Sequence, residues 1–142
     1  LYVQDLKTGQ VTQLTDFPGA LGIVQVHTAR WSPDGKKIAF SASSTNPNDS
    51  WGLEIYIIDP VGPVIQGMTN IRKITNCPDY EFAYLPEWDP NDSNFVYYLR
   101  ESSHLTEAYG LDLATDQQIR IPNSSGSGNE AYCGRRTTRW FR

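Results

Sequence analysis

The residues able to do chemistry in this chain are few and scattered. It has two histidines, His27 and His104, and two cysteines, Cys77 and Cys133. Nucleophilic catalysis needs a nucleophile held against an oriented base. Neither histidine lies near a Gly-x-Ser-x-Gly elbow, and the sequence holds none. His27, before the first tryptophan strand, and His104, after Ser102-Ser103, read as loop residues, and no catalytic residue is assigned. The cysteines lie 56 positions apart, in no Cys-x-x-Cys or zinc spacing. They pair only in an oxidising compartment, and two separate thiols fit as well. Asp89, Asn91 and Ser93 alternate as oxygen ligands do in calcium loops, but that motif's glycine and closing glutamate are missing. A polar turn between strands is the simpler reading, so neither metal nor cofactor is expected. Asn48, Asn91 and Asn123 each open an Asn-x-Ser sequon, a glycan site on a loop if the protein is secreted by a eukaryote.

With so little catalytic signal, the elements around these residues carry the information. Leu1 to Leu6 reads LYVQDL, Glu54 to Pro60 reads EIYIIDP, and Ala108 to Leu113 reads AYGLDL. Aligning Tyr2, Tyr56 and Tyr109 gives spacings of 54 and 53, with Asp5, Asp59 and Asp112 three residues on. Each copy runs into a turn and then a short strand beginning near Val11, Ile71 or Gln118. These segments alternate apolar and polar residues with period two, as half-buried strands do.

A second motif lies between these hairpins. Ala29 to Phe40 reads ARWSPDGKKIAF, with a looser partner at residues 85–98, and Trp31 and Trp88 are 57 apart. In Ser32-Pro33-Asp34-Gly35 the proline fixes φ, the aspartate bonds nearby backbone and the glycine supplies positive φ, which makes a tight turn. The unit is therefore four antiparallel strands, repeated about every 40–55 residues, the pattern of a propeller blade. The expected organisation is the end of one blade and its connecting loop at 1–28, a complete blade and loop at 29–84, and a divergent blade at 85–122. Residues 123–142 read as a Ser/Gly loop and basic tail, or a decayed start of a further blade. The fold expected is all-β, a partial β-propeller of about two and a half blades. Trp31, Pro33, Asp34, Gly35, Tyr56, Asp59 and Trp88 form its blade-core signature, with both tryptophans between blades.

ARWSPDGKKIAF followed by LEIYIIDP and IRKIT resembles the WD40-like (PD40) repeat of TolB-type β-propellers. It is also similar to blades in the propeller domains of prolyl oligopeptidase-type serine peptidases. The resemblance covers residues 1–122, strongest at 29–40 and 53–59. It implies an extracytoplasmic setting, periplasmic or secreted. It also implies a non-enzymatic protein-binding or scaffolding module, or else the gating propeller of a peptidase whose triad lies on another domain.

Composition sets further bounds. The 142 residues are 39% apolar and carry a net charge of −4. Residues 131–142 hold four arginines and no acid, which leaves an acidic body unsuited to nucleic acid. No apolar run approaches the roughly 20 residues of a membrane span. Contacts with a protein partner are expected from loops at the rim: Phe17, His27, Trp51, Tyr80, Glu81, Phe82, Tyr84 and His104. Two and a half blades leave a ring open. The sequence therefore suggests a piece of a longer propeller, a subunit that self-assembles by strand or blade exchange into a ring or filament, or an open stack.

Overall fold

The computed structural model describes residues 1–15, 23–44, 52–60, 71–78, 80–103 and 105–122. Phe17, Asn48, Trp51, His104, Asn123 and Cys133 lie outside the described residues, and with them any pairing of the two cysteines. Ten strands run in order: β1 (Tyr2–Gln4), β2 (Val11–Gln13), β3 (Ile23–Trp31), β4 (Ile38–Ser44), β5 (Leu53–Ile58), β6 (Ile71–Lys73), β7 (Phe82–Asp89), β8 (Asp92–Glu101), β9 (Thr106–Asp112) and β10 (Gln117–Arg120). They form three antiparallel sheets, β1-β2, β3-β4-β5-β6 and β7-β8-β9-β10, each a meander of sequential neighbours. The chain is all-β and forms an open run of propeller blades.

Alternation along β4 and β5 explains the stacking. Ile38, Phe40, Ala42, Tyr56 and Ile58 face one way and pack with Leu14, Leu1 and Val3 of the first sheet. Ala39, Ile55 and Ile57 face the other way and meet Ala83, Trp88, Val96, Tyr98 and Leu111 of the third. The middle sheet is thus covered on both faces, which is why β5 reads as a nearly continuous apolar run. Cross-strand aromatic pairs recur at equivalent places: Phe40 stacks on Tyr56 at 5.5 Å and Tyr98 on Tyr109 at 5.8 Å.

The turn at Ser32 is built as its residues dictate. Asp34 Oδ1 accepts from Ser32 Oγ at 2.7 Å and from the Lys36 amide at 3.1 Å, and Gly35 has φ +69°. Two of the aspartates three residues after the repeat tyrosines, Asp5 and Asp112, hold their turns the same way. Asp5 Oδ1 accepts from the amides of Lys7 and Thr8 at 2.7 and 3.3 Å. Asp112 Oδ1 accepts from those of Ala114 and Thr115 at 2.8 and 3.4 Å. Each of these bonds holds its carboxyl below the usual carboxylate range, in Asp34 led by the Ser32 hydroxyl.

Three expectations need correction. Trp31, expected between blades, is 49% exposed among the described residues, because no described strand of the first sheet packs over it. His27 lies within β3, exposed, rather than in a loop, because strand pairing begins at Ile23 with bulges that absorb the irregular pattern. Phe82 and Tyr84 likewise belong to β7. That strand tolerates Pro86 because β7 is an edge strand and bulges between Tyr84 and Glu87, with Leu85 at φ 52°.

Candidate functional site

The rim where β7 begins brings a strained turn beside an ion pair. The Glu81 amide donates to the Pro78 carbonyl at 3.1 Å, closing a turn in which Tyr80 takes φ 66° and stays 78% exposed. A tyrosine in the left-handed region is uncommon, and such strain persists where surrounding contacts fix it. One fixing contact is Gly52. A Cβ there would stand 2.5 Å from the Glu81 carbonyl oxygen, so only glycine admits this approach. Another is Arg100, whose Nε donates to Glu81 Oε2 at 2.5 Å. The Arg100 guanidinium also lies 5.8 Å from the centre of the Tyr109 ring. Tyr109 donates its hydroxyl to Glu107 at 3.0 Å, and Arg120 pairs with the same carboxylate.

Behind this rim lies a buried carboxylate. Glu54 is 2% exposed. It accepts from the Thr75 hydroxyl and, at 2.8 Å, from the Cys77 amide, with Lys73 Nζ 4.0 Å away. Thr75 Oγ1 in turn accepts from the Ile55 amide at 2.8 Å, so the group knits the end of β6 to β5. Burial, and then the Glu54 charge, push the Cys77 thiol up to about 12. That thiol is a packing group rather than a nucleophile.

The sequence-derived candidates divide as follows. Tyr80 and Glu81 come together with Arg100 at this rim, and Phe82 and Tyr84 follow on β7. His27 lies apart on β3. Asn91 is exposed in the turn at the opposite end of β7, where its amide donates to Asp89 Oδ1 at 2.9 Å. The other Asp89 oxygen accepts from Tyr97, and Ser93 Oγ accepts from the Asp34 amide at 3.2 Å. The Asp89 and Ser93 oxygens that suggested a calcium loop thus serve the hairpin and the contact between sheets. Among the described residues no histidine, cysteine, aspartate and glutamate cluster suits a metal. No helix among the described residues is long and apolar enough to cross a membrane. Sequence reasoning missed Arg100, Tyr109, Gly52 and Glu54. The repeat held the signal for Arg100: its counterpart in the preceding sheet is the small, buried Ala42, so a long cation there marks a local departure.

No protein-family model matches the chain, and no curated protein sequence matches it. Solved structures do. A TolB structure from Acinetobacter baumannii superposes with TM-score 0.62 and 21% identity, over 89% of this chain and 27% of that one. One from Agrobacterium tumefaciens gives TM-score 0.59 and 17% identity, over 84% and 39%. A puromycin hydrolase gives TM-score 0.55 and 20% identity, over 82% and 16%. The chain therefore spans well under half the length of these proteins, and at such identities the likeness is one of fold. Its stacked four-stranded sheets share the β-propeller blade fold of the TolB structures and of the hydrolase.

Proposed function

We propose that this chain is a non-enzymatic protein-binding module whose contact surface is the rim at Tyr80 and Glu81. The observation that carries this reading is an exposed tyrosine held at positive φ, beside the Glu81–Arg100 pair. An aromatic ring next to a paired charge supplies contact area and a directional polar group, the usual make-up of a protein contact. An acidic body favours a protein over nucleic acid as partner, and the resemblance to TolB propellers supports an encounter outside the cytoplasm. A photo-crosslinker at position 80 in the full chain tests the reading, with one at Ile119, also exposed, as control. A discrete protein adduct at 80 alone is expected; equal capture at both positions overturns it. The likeness to the puromycin hydrolase supports a second reading, the propeller domain of a serine peptidase. A hydrolase domain encoded in the same gene decides for it.

A further inference from the structure

The turn that presents Tyr80 grows out of a strand whose ladder has ended. β6 stops at Lys73, which pairs with Tyr56. Continued by two residues, that register sets Thr75 opposite Glu54. The Ile74 amide still donates to the Ile55 carbonyl at 2.9 Å. Beyond it, side chains replace the ladder. The Ile55 amide donates to Thr75 Oγ1 at 2.8 Å, and the Thr75 hydroxyl donates to Glu54 Oε2. Glu54 Oε1 accepts from the Cys77 amide at 2.8 Å. One residue on, the Pro78 carbonyl accepts from the Glu81 amide and closes the turn. The link between these two bonds is stiff. The Pro78 ring fixes its own φ, and a residue before proline is confined to extended backbone, so Cys77 has little freedom either. Pinning the Cys77 amide therefore pins the Pro78 carbonyl. A buried carboxylate is weak grounds for stability in itself. What Glu54 supplies is two directional acceptors aimed at the segment that leads to the rim.

We propose that Glu54 is the positioning residue of the Tyr80 rim. Its carboxylate fixes Cys77, and through Cys77-Pro78 it holds the turn that keeps Tyr80 at positive φ and open to a partner. Glu54 is 2% exposed, so it acts on the rim from beneath and touches no partner itself. The importance of this link for binding rests on the reading of the rim as the contact surface; the link itself is tested without a partner.

Native-state amide exchange of the full chain reads the link directly. Glu54→Ala should speed exchange of the Glu81 amide about tenfold or more relative to that of Val96 in the core, the effect of losing a hydrogen bond to a charged group. Glu54→Gln keeps an oxygen for the Cys77 amide and offers an N–H to Thr75 Oγ1, and should restore protection. Pro78→Gly changes an exposed residue and serves if Glu54→Ala does not fold. It frees the backbone between the two bonds, so Glu81 should be released while Cys77 stays protected. A Glu81 amide still protected in Pro78→Gly overturns the proposal, and so does one that Glu54→Gln releases as fully as Glu54→Ala. The photo-crosslinker at position 80 is then placed in the parent, Glu54→Ala and Glu54→Gln chains. Adduct should fall in the alanine variant and return in the glutamine variant. The expected exchange pattern with no adduct in any chain overturns the contact reading and leaves the link standing, whereas undiminished adduct in Glu54→Ala overturns the positioning role.

Discussion

The sheet of β3–β6 and the sheet of β7–β10 are two copies of one plan that meet different surroundings. Both carry a tryptophan on the inner strand, stacked aromatics across the middle strands and a glutamate two residues before the repeat tyrosine. The first copy is covered on both faces, and the second packs one face on the first. Glu54 is consequently sealed in and bonded to Thr75, Cys77 and, more distantly, Lys73. Glu107 keeps an 18% exposed side chain and pairs with Arg120, which is 56% exposed. Pro122 stands where Thr75 stands in the first copy, so the hydroxyl partner is gone. With the tryptophans the order reverses: Trp88 is buried by its neighbour, and Trp31 is not. The repeat fixes the plan, and the adjoining sheet decides whether a given residue serves core, network or surface.

The tryptophans offer the sharpest way to break this comparison. Trp88→Ala removes a buried ring and its indole hydrogen bond to the Arg30 carbonyl. It should cost about 3–5 kcal/mol, whereas Trp31→Ala should cost under about 1 kcal/mol. Chemical denaturation of both variants measures the gap, and equal losses would show that both tryptophans are core. The glutamates come next. Glu54→Ala strands a buried hydroxyl, an amide and a nearby ammonium, for about 3 kcal/mol. Glu107→Ala breaks a pair whose arginine is mostly exposed, for about 1 kcal/mol or less. Similar losses would mean that burial does not distinguish the two sites.

Much of the plan was legible beforehand because strand period, turn chemistry and internal repetition are local properties. The Ser-Pro-Asp-Gly turn, the Tyr-x-x-Asp strands and the four-strand unit can all be read from neighbouring residues. The exposure of Trp31 cannot, because it depends on whether a strand from the preceding blade lies alongside. The strand membership of His27 and Phe82 was hidden by bulges and by Pro86, which interrupt the alternation that signals a strand. At the rim, Tyr80 and Glu81 stood out by composition. Their partner Arg100 lies 19 residues on, and Gly52 matters only through a backbone approach that no spacing reveals.

That approach gives a third prediction, sharpening the contrast between the rim and the plain end of the sheets. Gly52→Ala drives a Cβ into the Glu81 carbonyl, a backbone atom that moves only if the turn at Tyr80 moves. The expected cost is about 1–3 kcal/mol, with a changed environment for Tyr80. Gly110→Ala is the control. Its Cβ would meet the far end of the Phe95 ring at 2.5 Å, and that ring can swing outward. A Tyr80 chemical shift unmoved by Gly52→Ala would remove the argument that Gly52 sets the rim.

The smallest effect concerns acid. Asp112 has its carboxyl held low chiefly by the Ala114 amide, so the folded state binds a proton less readily than the unfolded chain does. Its contribution is complete above the ordinary carboxylate range, about pH 4, and is lost as pH falls through the depressed native value. Asp112→Asn keeps an oxygen for the two amides and removes the titration. The variant should be slightly less stable than the parent at neutral pH and lose less on acidification, so that the two stability curves converge below about pH 4. Asp5→Asn should behave alike, since Asp5 holds the same turn in the first sheet through Lys7 and Thr8. A shallower acid limb for one variant alone would mean that the two turns, identical in their hydrogen bonds, are coupled differently to unfolding. The two-stranded first sheet would then be opening before the rest.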